Sequence, residues 1–170
     1  MEEIKGKIGI YRRDKALQYA KQWAFGRNPN YYDFSELGGD CTNFASQVLY
    51  AGAGVMNYTP GTGWFYINAN HRTASWTGVP FFYNFLTSNR GAGPFGEQVE
   101  LAAVEPGDFI QLSADGKRYT HTLAVMSVGK PATADNILIA THTYDAYDRP
   151  LSSYSNDRTR CIHILGVRGN

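Results

Sequence analysis

The sequence predicts an α+β domain in which helices come first and a mostly antiparallel sheet follows. Apolar residues recur at helical spacing from residue 11 to residue 25, and again after Cys41. From about residue 97 the pattern changes to the alternation that is typical of strands. Helices grouped ahead of strands indicate an α+β fold rather than alternating βαβ units. The 170 residues suffice for one core, so we expect a single domain over 1–170.

Three helices are predicted, and turn-forming residues bound the first two. The first ends at Gly26 and the Asn-Pro-Asn sequence that follows, and the second ends in Ala-Gly-Ala-Gly at 51–54. The third is the weakest, because it contains Pro80 and several aromatic residues. The predicted helices are 11–25, about 41–50 and 79–89, with an irregular segment at 55–70.

Four strands are predicted in the second half of the chain. An Asp-Gly turn within 113–117 joins the first two of them as a hairpin. The predicted strands are 108–112, 120–128, 136–143 and 160–167.

Composition excludes several classes of function. The formal net charge is +1 and Lys and Arg form no run, which argues against nucleic-acid binding. No apolar run is long enough to span a bilayer, so no membrane insertion is expected. Twelve Tyr, nine Phe, three Trp and eighteen Gly suit a groove that binds an extended polar polymer. We expect a monomer.

The N-terminal segment 1–20 has no apolar core of the kind found in signal peptides. We therefore expect the protein to be made in the cytoplasm and released by other means if it acts outside the cell.

Cys41 is the candidate nucleophile. It follows Gly38, Gly39 and Asp40 at the predicted first turn of a helix. Asp40 is a suitable N-cap, and the free N–H groups and dipole of the helix start favour a thiolate. Those N–H groups could also stabilise an oxyanion. A bridge from Cys41 to Cys161, the other cysteine, would abolish this role.

Two histidines are candidates to work with Cys41. His121 begins a predicted strand, where it could serve as the base for the thiol. His142 lies at the end of the next strand and could bond the second ring nitrogen of His121. Asp145 is the alternative third residue, because a carboxylate would also stabilise an imidazolium.

A metal or cofactor site has little support. Cys41, His121 and His142 could in principle bind zinc, but HExxH and paired CxxC motifs are absent, as are GxSxG and phosphate-loop patterns. We therefore expect no metal and no cofactor.

The order of these motifs along the chain resembles the order found in a known group of enzymes. Residues 28–52 resemble the nucleophile region of NlpC-type and CHAP-type peptidoglycan hydrolases. Within that papain-like clan the chain is similar to the "putative amidase domain" family, over residues 10–168. The shared motifs are DCTNF at 40–44, SWT at 75–77, GDFIQ at 107–111, HTYD at 142–145 and PL at 150–151.

The resemblance implies a papain-like fold and a Cys–His–His mechanism that cleaves an amide bond of bacterial peptidoglycan. It implies Cys41 as nucleophile, His121 as base and His142 as the residue that orients it. Tyr31 or Tyr32 would lie beside the thiol. Aromatic residues of the 58–85 region are candidates to line the substrate groove: Trp64, Tyr66 and Trp76.

Several questions stay open after the resemblance. NlpC-type sequences usually have Ser-Gly after the cysteine, where this chain has Thr42-Asn43. The scissile bond could therefore be the muramoyl–alanine amide, a stem-peptide bond or a cross-bridge. The chain could be the catalytic domain of a phage endolysin or an exported effector, cut from a longer modular protein. The alternatives are a catalytically inactive wall-binding module of the same fold and a zinc-dependent amidase.

Overall fold

The computed structural model describes residues 7–169. Residues 1–6, which belong to the N-terminal segment considered above, and residue 170 lie outside the described residues. In the described part of the chain, no helix is long and apolar enough to cross a membrane.

The three predicted helices are confirmed. The first, α1 (Arg13–Trp23), buries Ala16 and Ala20. The second, α2 (Cys41–Ala53), is buried along most of its length and ends at Gly54, whose φ of 68° is the left-handed conformation that glycine favours. The remaining helices are a single turn, α3 (Ala74–Thr77), and α4 (Val79–Ser88), where Pro80 is tolerated because it lies in the first turn.

The chain forms a seven-stranded sheet in which every described strand pair is antiparallel. The strands are β1 (Ile8–Gly9), β2 (Tyr66–Asn68), β3 (His71–Arg72), β4 (Gly93–Val99), β5 (Phe109–Ser113), β6 (His121–Val128), β7 (Ile137–Thr141), β8 (Ala146–Pro150) and β9 (Arg158–Arg168). The order along the sheet is β1-β9-β5-β6-β7-β8, and β4 also pairs with β9. A separate hairpin pairs β2 with β3.

The four predicted strands are confirmed as β5, β6, β7 and β9, but β4 and β8 were not predicted. β4 contains Gly93, Pro94 and Gly96, which are residues that strands usually exclude. β8 reads Ala-Tyr-Asp-Arg-Pro and carries Asp148 at a φ of 54°. The segment predicted to be irregular also contains β2. β4 pairs with β9 and β8 pairs with β7, and this pairing outweighs the weak strand propensity of the residues in β4 and β8.

The sheet separates two hydrophobic cores. The larger core joins α1, α2 and α4 to one face of the sheet, which we call the helix face; Phe109, Ala124 and Ala140 contribute to it. The smaller core covers the opposite face and includes Leu112 and Leu123. Alternation along each strand decides which face a side chain reaches, and this decides the surroundings of each candidate residue.

Candidate active site

Cys41 is the first residue of α2 and is buried where that helix meets the start of β6. Its Sγ lies 3.7 Å from Oγ1 of Thr42 and accepts a hydrogen bond from the backbone N–H of Thr122. These bonds favour the thiolate, but burial outweighs them and raises the pKa of the Cys41 thiol. At rest, Cys41 is a neutral thiol held against the sheet.

The possible bridge between Cys41 and Cys161 does not form, because both cysteines are free. Cys41 belongs to α2 on the helix face, whereas Cys161 lies in the smaller core on the other side of the sheet. Burial also raises the pKa of Cys161, to about 11.

Asp40 occupies the N-cap position, but the prediction that its carboxylate caps the helix is wrong. The side chain makes no capping bond to the first turn. Instead Oδ1 accepts hydrogen bonds from Phe34 N (2.8 Å) and Asn43 Nδ2 (2.9 Å), and Oδ2 faces His142. The carboxylate turns away from the helix axis because these buried donors, and the imidazole, lie to its side.

His142 is fully buried and does not orient His121, so the predicted role of the third residue is corrected. Its Nδ1 donates to Oδ2 of Asp40 at 2.5 Å, and its Nε2 lies 2.8 Å from the carbonyl oxygen of Trp23. Its ring stacks on Phe44 with centroids 4.1 Å apart. Both nitrogens are thus engaged on the α1 side of the site.

Asp145, the alternative third residue, is also engaged elsewhere. Its two oxygens form a bidentate ion pair with Arg27, at 2.8 and 3.0 Å. Arg27 in addition lies 3.3 Å from Asp33 and 3.7 Å from Asp40. This arginine links the loop before α2 to the loop after β7. This role was not predicted, because Arg27 lies in a turn outside the motifs that pointed to the site.

His121 is the first residue of β6 and lies opposite Leu112 in the ladder with β5. Because Leu112 belongs to the smaller core, the His121 side chain lies on the face away from α2. Its ring centroid is 5.8 Å from that of Tyr154. Within residues 7–169 it forms no hydrogen bond with Cys41 or His142.

His121 is nevertheless the histidine nearest in the chain to the thiol contact, because the next residue, Thr122, donates its backbone N–H to Sγ. Burial, and secondly the charge of Arg149, lower the pKa of His121 to about 4. His121 is therefore a neutral imidazole at physiological pH. Tyr154 and Arg149, its neighbours, were not foreseen because both come from the β8 region.

The remaining residues of the DCTNF motif have structural partners. Thr42 Oγ1 and Thr122 Oγ1 lie 2.9 Å apart, which joins α2 to β6. Asn43 donates to the carbonyl oxygen of Tyr32 and accepts from the indole N–H of Trp76. The motif therefore fixes the start of α2 as well as supplying a thiol.

The aromatic residues divide into buried and accessible ones. Trp64 and Trp76 are fully buried, so the prediction that they line a substrate groove is wrong; their rings pack at 4.7 Å. Tyr66 is buried as well. Tyr31 is partly buried between Tyr66 and Trp76. Tyr32 keeps about half of its surface exposed.

The residues considered for zinc do not converge, because both ring nitrogens of His142 are engaged by Asp40 and Trp23. One group of possible ligand atoms occurs elsewhere in the described chain, at Glu105, Asp108 and His163. There the Asp108 oxygens accept bonds from protein donors, among them Arg13 and His163. The group therefore serves as a structural ion-pair cluster.

Comparison with known proteins agrees with the motif pattern. The family described as "Putative amidase domain" matches residues 10–165. The chain is 35% identical over 148 residues to an uncharacterised Bacillus subtilis protein, YhbB. The aligned region covers 85% of this chain and 45% of YhbB, so the chain spans less than half the length of that relative. No solved structure matches. Because the family model matches nearly the whole chain, the chain belongs to the family described as "Putative amidase domain".

Proposed function

We propose that this domain is a peptidoglycan hydrolase that cleaves an amide bond, with Cys41 as nucleophile and His121 as base. One observation carries the proposal: Sγ of Cys41, at the start of a helix, touches the backbone of β6 at the residue after His121. Membership of an amidase family supports amide hydrolysis. The thiol and histidine come from distant parts of the chain, as in other thiol hydrolases.

The pair rests in its neutral form. Burial raises the pKa of Cys41 and lowers that of His121, so an ion pair between them is disfavoured before substrate binds. For His121 to act as a general base during attack, the start of β6 has to bend so that the imidazole moves from the far face of the sheet toward Sγ. Substrate binding excludes water from the site, and this movement takes place at that step.

The start of α2 provides the oxyanion site. Because the Asp40 carboxylate faces His142, it leaves the first turn, including the N–H of Cys41, without a side-chain cap, while the N–H of Thr42 bonds to Sγ of Cys41. These donors point out of the helix start, where an anion is favoured. The N–H of Asp40 itself is occupied by Oγ1 of Thr143. The first turn is thus available to a carbonyl oxygen that becomes negative.

The reaction conserves atoms and charge in two stages. His121 accepts the thiol proton while sulfur bonds to the carbonyl carbon, and the carbon–nitrogen bond then breaks as His121 protonates the leaving amine. Water, deprotonated by His121, attacks the thioester, and the carboxylic acid leaves as sulfur regains its proton. His142, Asp40 and Arg27 hold the start of α2 in place and do not take part in proton transfer.

The accessible aromatic residues beside this site suit a polymer substrate. Tyr144 is 91% exposed and follows Thr143, whose hydroxyl oxygen accepts a hydrogen bond from the backbone N–H of Asp40. Thr143 and Tyr144 both have positive φ, at 61° and 59°, so a strained turn presents this ring. Tyr32 is half exposed on the preceding loop. We propose that the domain acts on the cell wall after release, as a phage endolysin or a dedicated exported enzyme does.

Clearance of a Gram-positive wall suspension tests this proposal. Wild-type protein should lower turbidity, whereas Cys41→Ala, Cys41→Ser and His121→Gln should not, although all remain folded by circular dichroism. Asp14→Asn, which alters only an exposed ion pair with Arg12, is the control and should clear walls like wild type. Hydrolysis of either kind of bond frees an amino group, so the new terminus identifies the bond: an N-terminal alanine on stem peptide released from the glycan indicates the muramoyl amide, and any other new terminus indicates a peptide bond. Equal clearance by all the variants would refute the thiol mechanism.

A second function, a wall-binding module without catalysis, is favoured by one observation. In the described structure the His121 ring lies on the opposite face from α2 and makes no bond to Cys41. Sedimentation with walls but no release of soluble products, at any pH from 5 to 9, would support this alternative over hydrolysis.

A further inference from the structure

Arg160, in β9, is held in a fixed orientation by its neighbours. Its guanidinium lies between the rings of Tyr83 and Tyr119, at 3.7 and 4.0 Å from their centroids. Its Nε donates to Oε1 of Gln111 at 2.8 Å. Tyr83 is itself fixed, because its hydroxyl donates to Gln98. The side chain therefore loses little further freedom when it binds a ligand.

The charge of Arg160 has no counter-ion in residues 7–169. No carboxylate lies within ion-pair distance, and the only described hydrogen bond uses Nε. Both terminal nitrogens remain available, and they present the parallel donors that match a planar carboxylate. Partial burial lowers the pKa of the Arg160 guanidinium, as expected for a cation without a carboxylate partner.

Arg160 lies at the same end of the sheet as the thiol. Thr122, Gln111 and Arg160 stand side by side on β6, β5 and β9, and Thr122 contacts Cys41 through its backbone. Adjacent strands are about 4.8 Å apart, which places Arg160 roughly 10 Å from Thr122. An extended peptide covers that distance in about three residues.

A cavity beside Arg160 offers room for a ligand. It has a volume of about 520 Å³ and is lined by residues 98–101 and 159–161. Glu100 also lines it and would repel an anion close to itself, so the carboxylate is expected on the wall that Arg160 forms.

We propose that Arg160 binds a carboxylate of the substrate, about three residues from the scissile amide, and so selects acidic wall peptides over their amidated forms. The inference rests on the proposed function for the identity of the substrate. It assigns Arg160 a role in specificity and none in proton transfer.

Binding to a non-cleaving protein separates this inference from the proposed function. The affinity of Cys41→Ala protein is measured by calorimetry for a soluble muropeptide with free carboxylates and for its carboxamide counterpart. We expect at least tenfold tighter binding of the acidic form, and loss of that preference in Cys41→Ala/Arg160→Met. Arg158→Gln, an exposed arginine of the same strand, is the matched control and should keep the preference.

The outcomes are distinct. No preference in the Cys41→Ala protein, or a preference that survives Arg160→Met, overturns the inference. If the preference depends on Arg160 but wild-type protein cleaves neither muropeptide, the carboxylate site stands and the proposed hydrolysis fails. Should Arg160→Met not fold, Arg160→Lys keeps the charge, lacks the planar fork and is expected to lose most of the preference.

Discussion

Nδ1 of His142 lies 2.5 Å from Oδ2 of Asp40, and both side chains are fully buried beside the start of α2. The other ring nitrogen of His142 contacts the carbonyl oxygen of Trp23, the last residue of α1. The pair therefore connects the end of one helix, the start of the next and the end of β7. It positions Cys41 without touching the thiol.

Breaking this pair should destabilise the fold strongly. Asp40→Asn and His142→Gln each leave a buried polar partner without its complement, so we expect a loss of about 3–5 kcal/mol in the free energy of unfolding. Urea unfolding measures this loss. Asp14→Asn removes an exposed ion pair with Arg12 and is the control, for which little change is expected. A similarly small effect at Asp40 would show that the pair contributes no stability.

The low pKa of His121 predicts an unusual pH profile. Since the folded pKa of about 4 lies below the ordinary 6.5, the imidazole stays neutral down to about pH 4. The acidic limb of kcat/KM should therefore fall near pH 4, and a limb near 6.5 would contradict this. The same difference in pKa makes stability depend on pH. As the pH falls below 6.5, His121 is protonated in the unfolded chain before it is protonated in the folded protein. The contribution of neutral His121 to the free energy of unfolding is therefore complete above pH 6.5 and is lost as the pH falls toward 4.

Arg149 contributes to that shift, because its positive charge disfavours the imidazolium. Arg149→Gln should raise the pKa of His121 and move the acidic limb of kcat/KM upward by on the order of half a unit. Proton NMR titration of the His121 ring follows the same change directly. An unchanged His121 titration would mean that burial alone sets its pKa.

The resting state of Cys41 can be read from its rate of alkylation. Because burial raises its pKa, the thiol should react slowly with iodoacetamide at pH 7, and the rate should rise with pH up to at least 9. Cys161→Ser protein isolates the signal of Cys41. Fast alkylation that is already constant at pH 6 would instead indicate a thiolate–imidazolium pair.

The order of elements was predictable because it depends on local patterns. Helical spacing in α1 and α2, and alternation in β5, β6, β7 and β9, reflect how each segment meets the core. β4 and β8 were not predictable, because their glycines, prolines and polar residues become strands only through pairing with β9 and β7.

The candidate site divides in the same way. Cys41 at a helix start follows from local sequence, as the glycines and Asp40 mark the boundary. The hydrogen-bond partner of His142 does not follow from local sequence, because Asp40 lies 102 positions away in the chain. Whether His142 bonds to Asp40 or to His121 depends on how the end of β7 lies beside the start of α2. Arg27 joins three carboxylates that no spacing rule connects.

Trp76 provides a last test, because the sequence suggested a groove residue and the structure places it in the core. Its indole N–H donates to Oδ1 of Asn43 at 3.0 Å, and its ring packs on Trp64. Trp76→Phe removes that donor and leaves space, so we expect a loss of about 2–4 kcal/mol in the free energy of unfolding. The affinity of the folded protein for muropeptide should stay within about twofold of wild type.

Tyr144→Asn is the matched variant and should behave in the opposite way. The ring is 91% exposed, and asparagine tolerates the positive φ of this position, so stability should change little. If Tyr144 contacts the polymer as proposed, affinity for muropeptide should fall several-fold. If folded Trp76→Phe protein binds muropeptide more weakly while Tyr144→Asn protein binds it as tightly as wild type, the substrate groove lies in the region between α2 and α4.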